Sequence, residues 1–399
     1  MNEEKDNEQR AVHIDIKTVR RNERSIRVMK RLIAFLVVVL VGIGLYISYP
    51  YWLPKLEGIF DKPLTTIDNS GKIEGGNFPI AADEAALDVF TLKNHLVAAD
   101  AHRLTIYDEN GKRRGSYDHD FSSPVVRSSG KRALVFDFGS TGFKLYNKNG
   151  EVYSKTAEND IMSAALGEDG TAAILVTSDK YASTVLYYNK EGKLIYRYDS
   201  TKKVMAVYVT PDGRSSYVCT FSSEQGEIYS QVVRLDLNEN GEQMISEEIE
   251  CLAIGCVLCD DGNIQVAGDN GLFVLSGDGK KIAEYEYSGD LIDFSLNEEC
   301  SAVILSGSTK NSGKLIIAES GAADGKTFRE IACDNTVKQV NVCAERVLLL
   351  TSSNVAAYSY DGSEAGRAQL DKEYYRFTYI NSALYLSGKH GIDKIKFEM

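Results

Sequence analysis

Beyond residue 85 the chain alternates short apolar runs with polar turns, and one unit of this alternation returns again and again. Its clearest piece is an apolar strand that ends at a glycine turn. Leu104-Thr105-Ile106-Tyr107 runs into Asp108-Glu109-Asn110-Gly111, and Phe143-Lys144-Leu145-Tyr146 into Asn147-Lys148-Asn149-Gly150. Val185-Leu186-Tyr187-Tyr188 runs into Asn189-Lys190-Glu191-Gly192. Further copies lead to Gly241, Gly279, Gly325 and Gly362, so the spacings are 39, 42, 49, 38, 46 and 37 residues. Propeller blades of four strands repeat at about 40–50 residues. Asn-Gly and Asp-Gly suit tight hairpins because those turns need positive φ.

Four strands fit each unit. In the first they fall at 86–91 (A), 95–99 (B), 103–108 (C) and 112–117 (D). Later A strands fall near 124–127, 162–166, 204–210, 252–258, 291–296, 337–342 and 374–379, which makes eight. The eighth unit ends with the chain after three strands. The strand-like segment 63–69 is expected to supply its fourth and close the ring, since closure removes open sheet edges. The fold class is therefore all-β, an eight-bladed β-propeller, with seven blades as the alternative.

The N-terminal part reads differently. Residues 32–54 contain no charged side chain, and about 20 apolar residues in a helix cross a bilayer core. A cleaved signal peptide has a short charged start and a small-residue cut site. Here the charged start is 31 residues long, and the exit is Tyr49-Pro50-Tyr51-Trp52. A retained transmembrane α-helix at 32–53 is expected. Residues 1–31 carry nine Lys and Arg, which by the positive-inside rule puts this tail in the cytoplasm. After a linker at 54–62, the propeller at 63–399 is expected outside the membrane. Lys17 to Arg31 could also hold anionic lipid.

Charge and chemistry narrow the function. The net charge is −12, and the tail is positive, so the propeller is acidic. That argues against nucleic acid as a partner, because phosphates need a basic footprint. The links from each D strand to the next A strand carry carboxylates, among them Asp83, Asp118, Asp120, Asp160, Asp199, Asp290, Asp334 and Asp371. On one face of a propeller they would ring the channel mouth and draw a cationic partner. Equally, Asp favours turns because it bonds nearby backbone N–H groups.

The remaining motifs have structural explanations. Cys251, Cys256 and Cys259 have a spacing used for iron–sulfur clusters, but alternation along a strand puts Cys251 and Cys256 on opposite faces. The seven cysteines read as core residues. Asp118-His119-Asp120 is a loop, and neither His-x-x-x-His nor His-Glu-x-x-His occurs. Asp108 to Gly111 resembles the start of a calcium loop without its later ligands. No metal, cofactor or catalytic constellation is expected.

With these repeats the chain resembles membrane-anchored propellers of the pyrroloquinoline-quinone-like and WD40-like superfamily. Within it, the chain is similar to an uncharacterised Gram-positive family of basic tail, single helix and external propeller. The tryptophan docking motifs of quinone enzymes are missing, since Trp52 is the only tryptophan, and so is the Trp-Asp dipeptide of WD40 repeats. The resemblance implies fold and not activity. The expected role is a binding or scaffolding module for a protein or cell-envelope ligand. The alternative is an extracytoplasmic enzyme on an envelope polymer, with channel-mouth carboxylates as acid and base.

Overall fold

The computed structural model describes residues 76–399, apart from 83–84, 240, 308–311, 323–325, 334–335 and 344. The tail, the apolar run 32–53, the linker and segment 63–69 lie outside the described residues, as do Asp83, Asp334 and Gly325. No helix among the described residues is long and apolar enough to cross a membrane.

Among the described residues, thirty-two strands form eight antiparallel sheets of four. The A strands are Asp88–Leu92, Pro124–Ser128, Ile161–Leu166, Lys203–Val209, Ala253–Leu258, Leu291–Leu296, Gln339–Cys343 and Tyr374–Ile380. All eight were expected, to within about two residues at each start, the scatter usual for strand ends. Each A strand packs beside the next, and the A strand of blade 8 returns to that of blade 1. The ring is closed, with eight blades and not seven.

Middle strands such as Ala172–Val176 and Gly271–Leu275 are buried at every position. A blade is covered by a neighbour on each face, so both faces of its middle strands must be apolar. The clusters accordingly lie between blades. One joins Leu134 and Phe143 of blade 2 to Ile161 and Ile174 of blade 3. D strands at the outer edge alternate instead, as in Arg113–Asp118. Among the described residues, the turn glycines expected from the repeat have positive φ, for example 74° at Gly111 and 77° at Gly192. Asp108 accepts the N–H groups of Asn110 and Lys112, which accounts for it as a turn residue.

The fourth strand of blade 8 is Ile80–Ala81, paired with Ile392 and Gly391. It takes the place expected for 63–69. Phe78 extends the latch, lying 5.6 Å from the Tyr385 ring and 5.6 Å from Lys394 Nζ.

One expectation about cysteine is corrected. Cys251 and Cys256 share one cluster with Cys219. A bulge between Ala253 and Gly255 inserts an extra residue at Ile254, which resets the alternation and returns both side chains to the same side. Cys219, Cys251, Cys256, Cys259, Cys300 and Cys343 are free thiols. Burial raises the thiols of Cys251 and Cys259 to about 12.

Candidate functional site: the channel and its link-side mouth

In a propeller the A strands line the central channel, and each presents an unpaired backbone edge to it. Five of them carry a bulge near the start, where the inserted residue is Met162, Met205, Ile254, Ile292 or Tyr375. Blade 1 has an equivalent in Leu87, whose N–H bonds Ala99, the residue also paired with Asp88. Bulges re-aim side chains, and these side chains form an apolar collar at the mouth on the link side. Leu87, Met162, Met205, Ile292 and Tyr375 are 36–45 % exposed.

The next residue inward forms a second ring: Asp88, Val125, Ser163, Ala206, Gly255, Asp293, Gln339 and Arg376. Three of its polar members, Asp293, Gln339 and Arg376, bond the open edge of the following blade. Asp293 Oδ2 accepts the N–H of Val340 at 2.8 Å. Gln339 accepts the Phe377 N–H at 2.8 Å and donates to the Phe377 carbonyl at 3.4 Å. Arg376 Nε donates to the Leu87 carbonyl at 3.2 Å. Asp88 accepts the adjacent Val89 N–H at 2.9 Å.

The channel thus has two unlike halves. One cavity, of about 680 Å³, is walled by Asp88, Asp293, Lys338, Gln339 and Arg376. The other, of about 610 Å³, is walled by Ser163, Ala165, Met205, Ala206, Val207 and Gly255, with Glu168 and Glu298 towards the A–B turns. Arg127 and Phe294, from the opposed blades 2 and 6, wall both. In the charged half, burial pushes Asp88 up to about 6, against the Val89 N–H, Arg376 and Arg127. Burial likewise raises Asp293 and lowers Arg127. These groups carry mixed charge, so the channel lining itself is not an acidic ring.

The carboxylates singled out from the links are spread over different radii. Asp160 and Asp290 stand at equivalent places just before the inner strands, where their carbonyls accept the N–H of Thr177 and Ser306. Both side chains are exposed, as are Asp120 in its link and Asp371 before blade 8. Asp118 and Asp199 lie on outer strands, farther from the axis. Burial raises Asp199, but bonds from Arg197 and Thr184 outweigh it and leave the carboxyl below its usual value. Arg197 also pairs with Glu158. Between Asp118 and Asp120, His119 is buried and ties blade 1 together. Its Nε2 donates to the Asp100 carbonyl at 3.2 Å, and its Nδ1 accepts the Phe121 N–H at 3.3 Å. Burial lowers its pKa, in keeping with a neutral ring. Among the described residues no three His, Cys, Asp or Glu side chains are placed to hold a metal ion.

The collar and the inner ring are the features that repeat counting missed. Their signal was present: a large apolar residue second in the inner strand, followed by Ser, Ala, Gly, Asp or Arg. Only the bulge gives that pair its meaning.

No curated protein matches this chain. Among solved structures it is similar to the computationally designed protein Ika8 at 10% identity, with a TM-score of 0.56, covering 79% of this chain and 98% of that one. It is also similar to Sqt1 from Saccharomyces cerevisiae at 10% identity, with a TM-score of 0.55, covering 80% and 99%. Identities this low show the propeller fold alone. Residues 79–397, nearly the whole of the described propeller, match a family of unknown function, DUF5711, and the chain belongs to that family.

Proposed function

We propose that this propeller is a binding or scaffolding module, held at the outer face of a cell membrane by residues 32–53, with its link-side mouth as the docking surface. The carrying observation is the apolar collar of Leu87, Met162, Met205, Ile292 and Tyr375. An apolar centre within a polar surround is the anatomy of a protein interface. Asp118, Asp120, Asp160 and Asp290 are exposed around it, and the acidic charge of the chain favours a partner whose apolar anchor is flanked by Lys or Arg. Asp83, Asp199, Asp334 and Asp371 complete the acidic set in this proposal. The membrane anchor rests on the charge-free run and the nine basic residues before it. The Gram-positive layout drawn from the resemblance is part of the same reading.

The test is a crosslinking capture from native membranes with the full-length protein. Beside it run a Met162→Asp/Met205→Asp form and a form with the rim carboxylates neutralised. A partner held by the native protein and lost by both variants supports docking at the mouth. A partner held equally by all three rules it out. Protease treatment of intact cells tests the topology: cleavage of the propeller is expected, and protection would place it inside.

The enzyme alternative finds its best-placed acid in Asp88, whose pKa near 6 suits proton transfer. If an activity is found and Asp88→Asn leaves it intact, that assignment fails.

A further inference from the structure

Hydrogen bonding also divides the channel. Pairing of each inner strand with its B strand leaves alternate residues with both N–H and C=O turned to the channel. In blade 3 the Gly167 N–H bonds Thr171, which leaves Leu166 and Ala164 facing inward. The same count, from Thr210 bonding Ser215 and Cys259 bonding Asn263, turns Val207, Val209, Cys256 and Leu258 inward.

In blades 7, 8 and 1 the corresponding N–H groups, of Val340, Phe377 and Val89, are taken by Asp293, Gln339 and Asp88. In blade 2 the Val126 carbonyl is taken by Arg127 at 3.0 Å. Blades 3 to 5 differ. The side chain that could reach across from the preceding blade is Val125, Ser163 or Ala206, which is too short or apolar. Among the described residues, no side chain bonds the inward backbone groups of Ala164, Val207 or Cys256. All three residues wall the cavity of about 610 Å³. Ser163, Ala165 and Gly255 keep its walls low, so a ligand can approach the backbone itself.

We propose that this half of the channel, small or apolar in its inner ring, binds an extended peptide segment with small side chains, which pairs its backbone with the open inner edges of blades 3 to 5. Each inward residue offers a donor beside an acceptor, and the offer repeats two residues on, about 6.6–6.8 Å along the strand. Alternate residues of an extended chain match that pattern, as in strand addition to a sheet edge. Sugar hydroxyls have no such register. A free strand has two edges, so one segment can engage two blades. The volume is that of a ligand pocket. This inference goes beyond docking at the mouth and needs neither the link carboxylates nor the membrane.

Hydrogen exchange on the full-length protein tests it, with a pool of N-acetylated, C-amidated hexapeptides of Gly, Ala, Ser, Thr and Val as the probe. Exchange in segments 161–166, 203–209 and 253–258 should slow by about tenfold or more, equivalent to about 1.4 kcal/mol. The same pool N-methylated at alternate residues should give no protection. Ala206→Phe should abolish the effect by filling the cavity. Absence of protection by the first pool overturns the proposal. So does equal protection by the methylated pool, or protection by chitotetraose alone, which would make the site a sugar site. The two pools are compared on the native protein, so the outcome is decisive even if Ala206→Phe misfolds.

Discussion

At the scale of single residues, the inner ring shows how one position can do opposite things in repeated units. Gln339 and Asp293 stitch neighbouring blades together, whereas Ala206 and Gly255 leave them unstitched. Gln339→Ala should remove two bonds to Phe377 and orphan its backbone, lowering unfolding free energy by about 1–2 kcal/mol in urea titration. Asp88 behaves differently, because its folded pKa near 6 lies above its usual value of 3.8. The folded state then holds a proton that the unfolded state has released. The neutral acid stabilises fully below the usual value, and that stability is lost as pH rises towards 6 and beyond. Asp88→Asn is therefore expected to stabilise the protein by about 1–3 kcal/mol at pH 7.5 and by almost nothing at pH 4, read as paired denaturant titrations. Equal effects at both pH values would show that the carboxyl titrates normally. In blade 8, Tyr374 donates to the buried Asp393 at 2.9 Å, and Lys372 pairs with the same carboxylate at 2.5 Å. Tyr374→Phe should cost about 1–3 kcal/mol, because a buried charge loses one of its partners.

At the scale of the strand, closure depends on a very short element. Ile80–Ala81 is only two residues long, and Gly391 opposite it has a φ of 155°. A Cβ at Gly391 would stand 2.2 Å from the Ile80 carbonyl oxygen. Gly391→Ala should therefore unlatch blade 8. Limited proteolysis near residue 80 should quicken while the other blades stay protected; unchanged cleavage would mean the backbone absorbs the methyl. This element also marks where sequence pattern stops being informative. The strands of blades 1 to 8 were legible because buried middle strands demand unbroken apolar runs, and C–D turns such as Asp108 to Gly111 demand glycine. Segment 63–69 resembled a strand as much as Ile80–Ala81 did, and a two-residue strand leaves almost no pattern. The bulges at Met162 and Met205 were illegible for a related reason. An inserted residue changes which neighbours a side chain meets without changing the composition of its strand. The link carboxylates were visible as residues, but their radii were not, because the distance from the axis depends on where each outer strand stops.

At the scale of the whole molecule, eight similar units have been made unequal. Four consecutive positions of the inner ring, from Val125 to Gly255, are small or apolar, and the other four are polar and long. That partition sets both halves of the channel and cannot be seen within any one repeat. It also bears on order in time. Ile80 leads the propeller and Ile392 nearly ends it, yet they are partners. As the chain is synthesised, blades 1 to 7 can each assemble from neighbouring sequence, while the opening strand has nothing to pair with until Gly391 and Ile392 emerge. The seam at blade 8 is thus the last pairing of the ring to become available, and a molecule truncated before Gly391 would hold most of its blades but no completed circle.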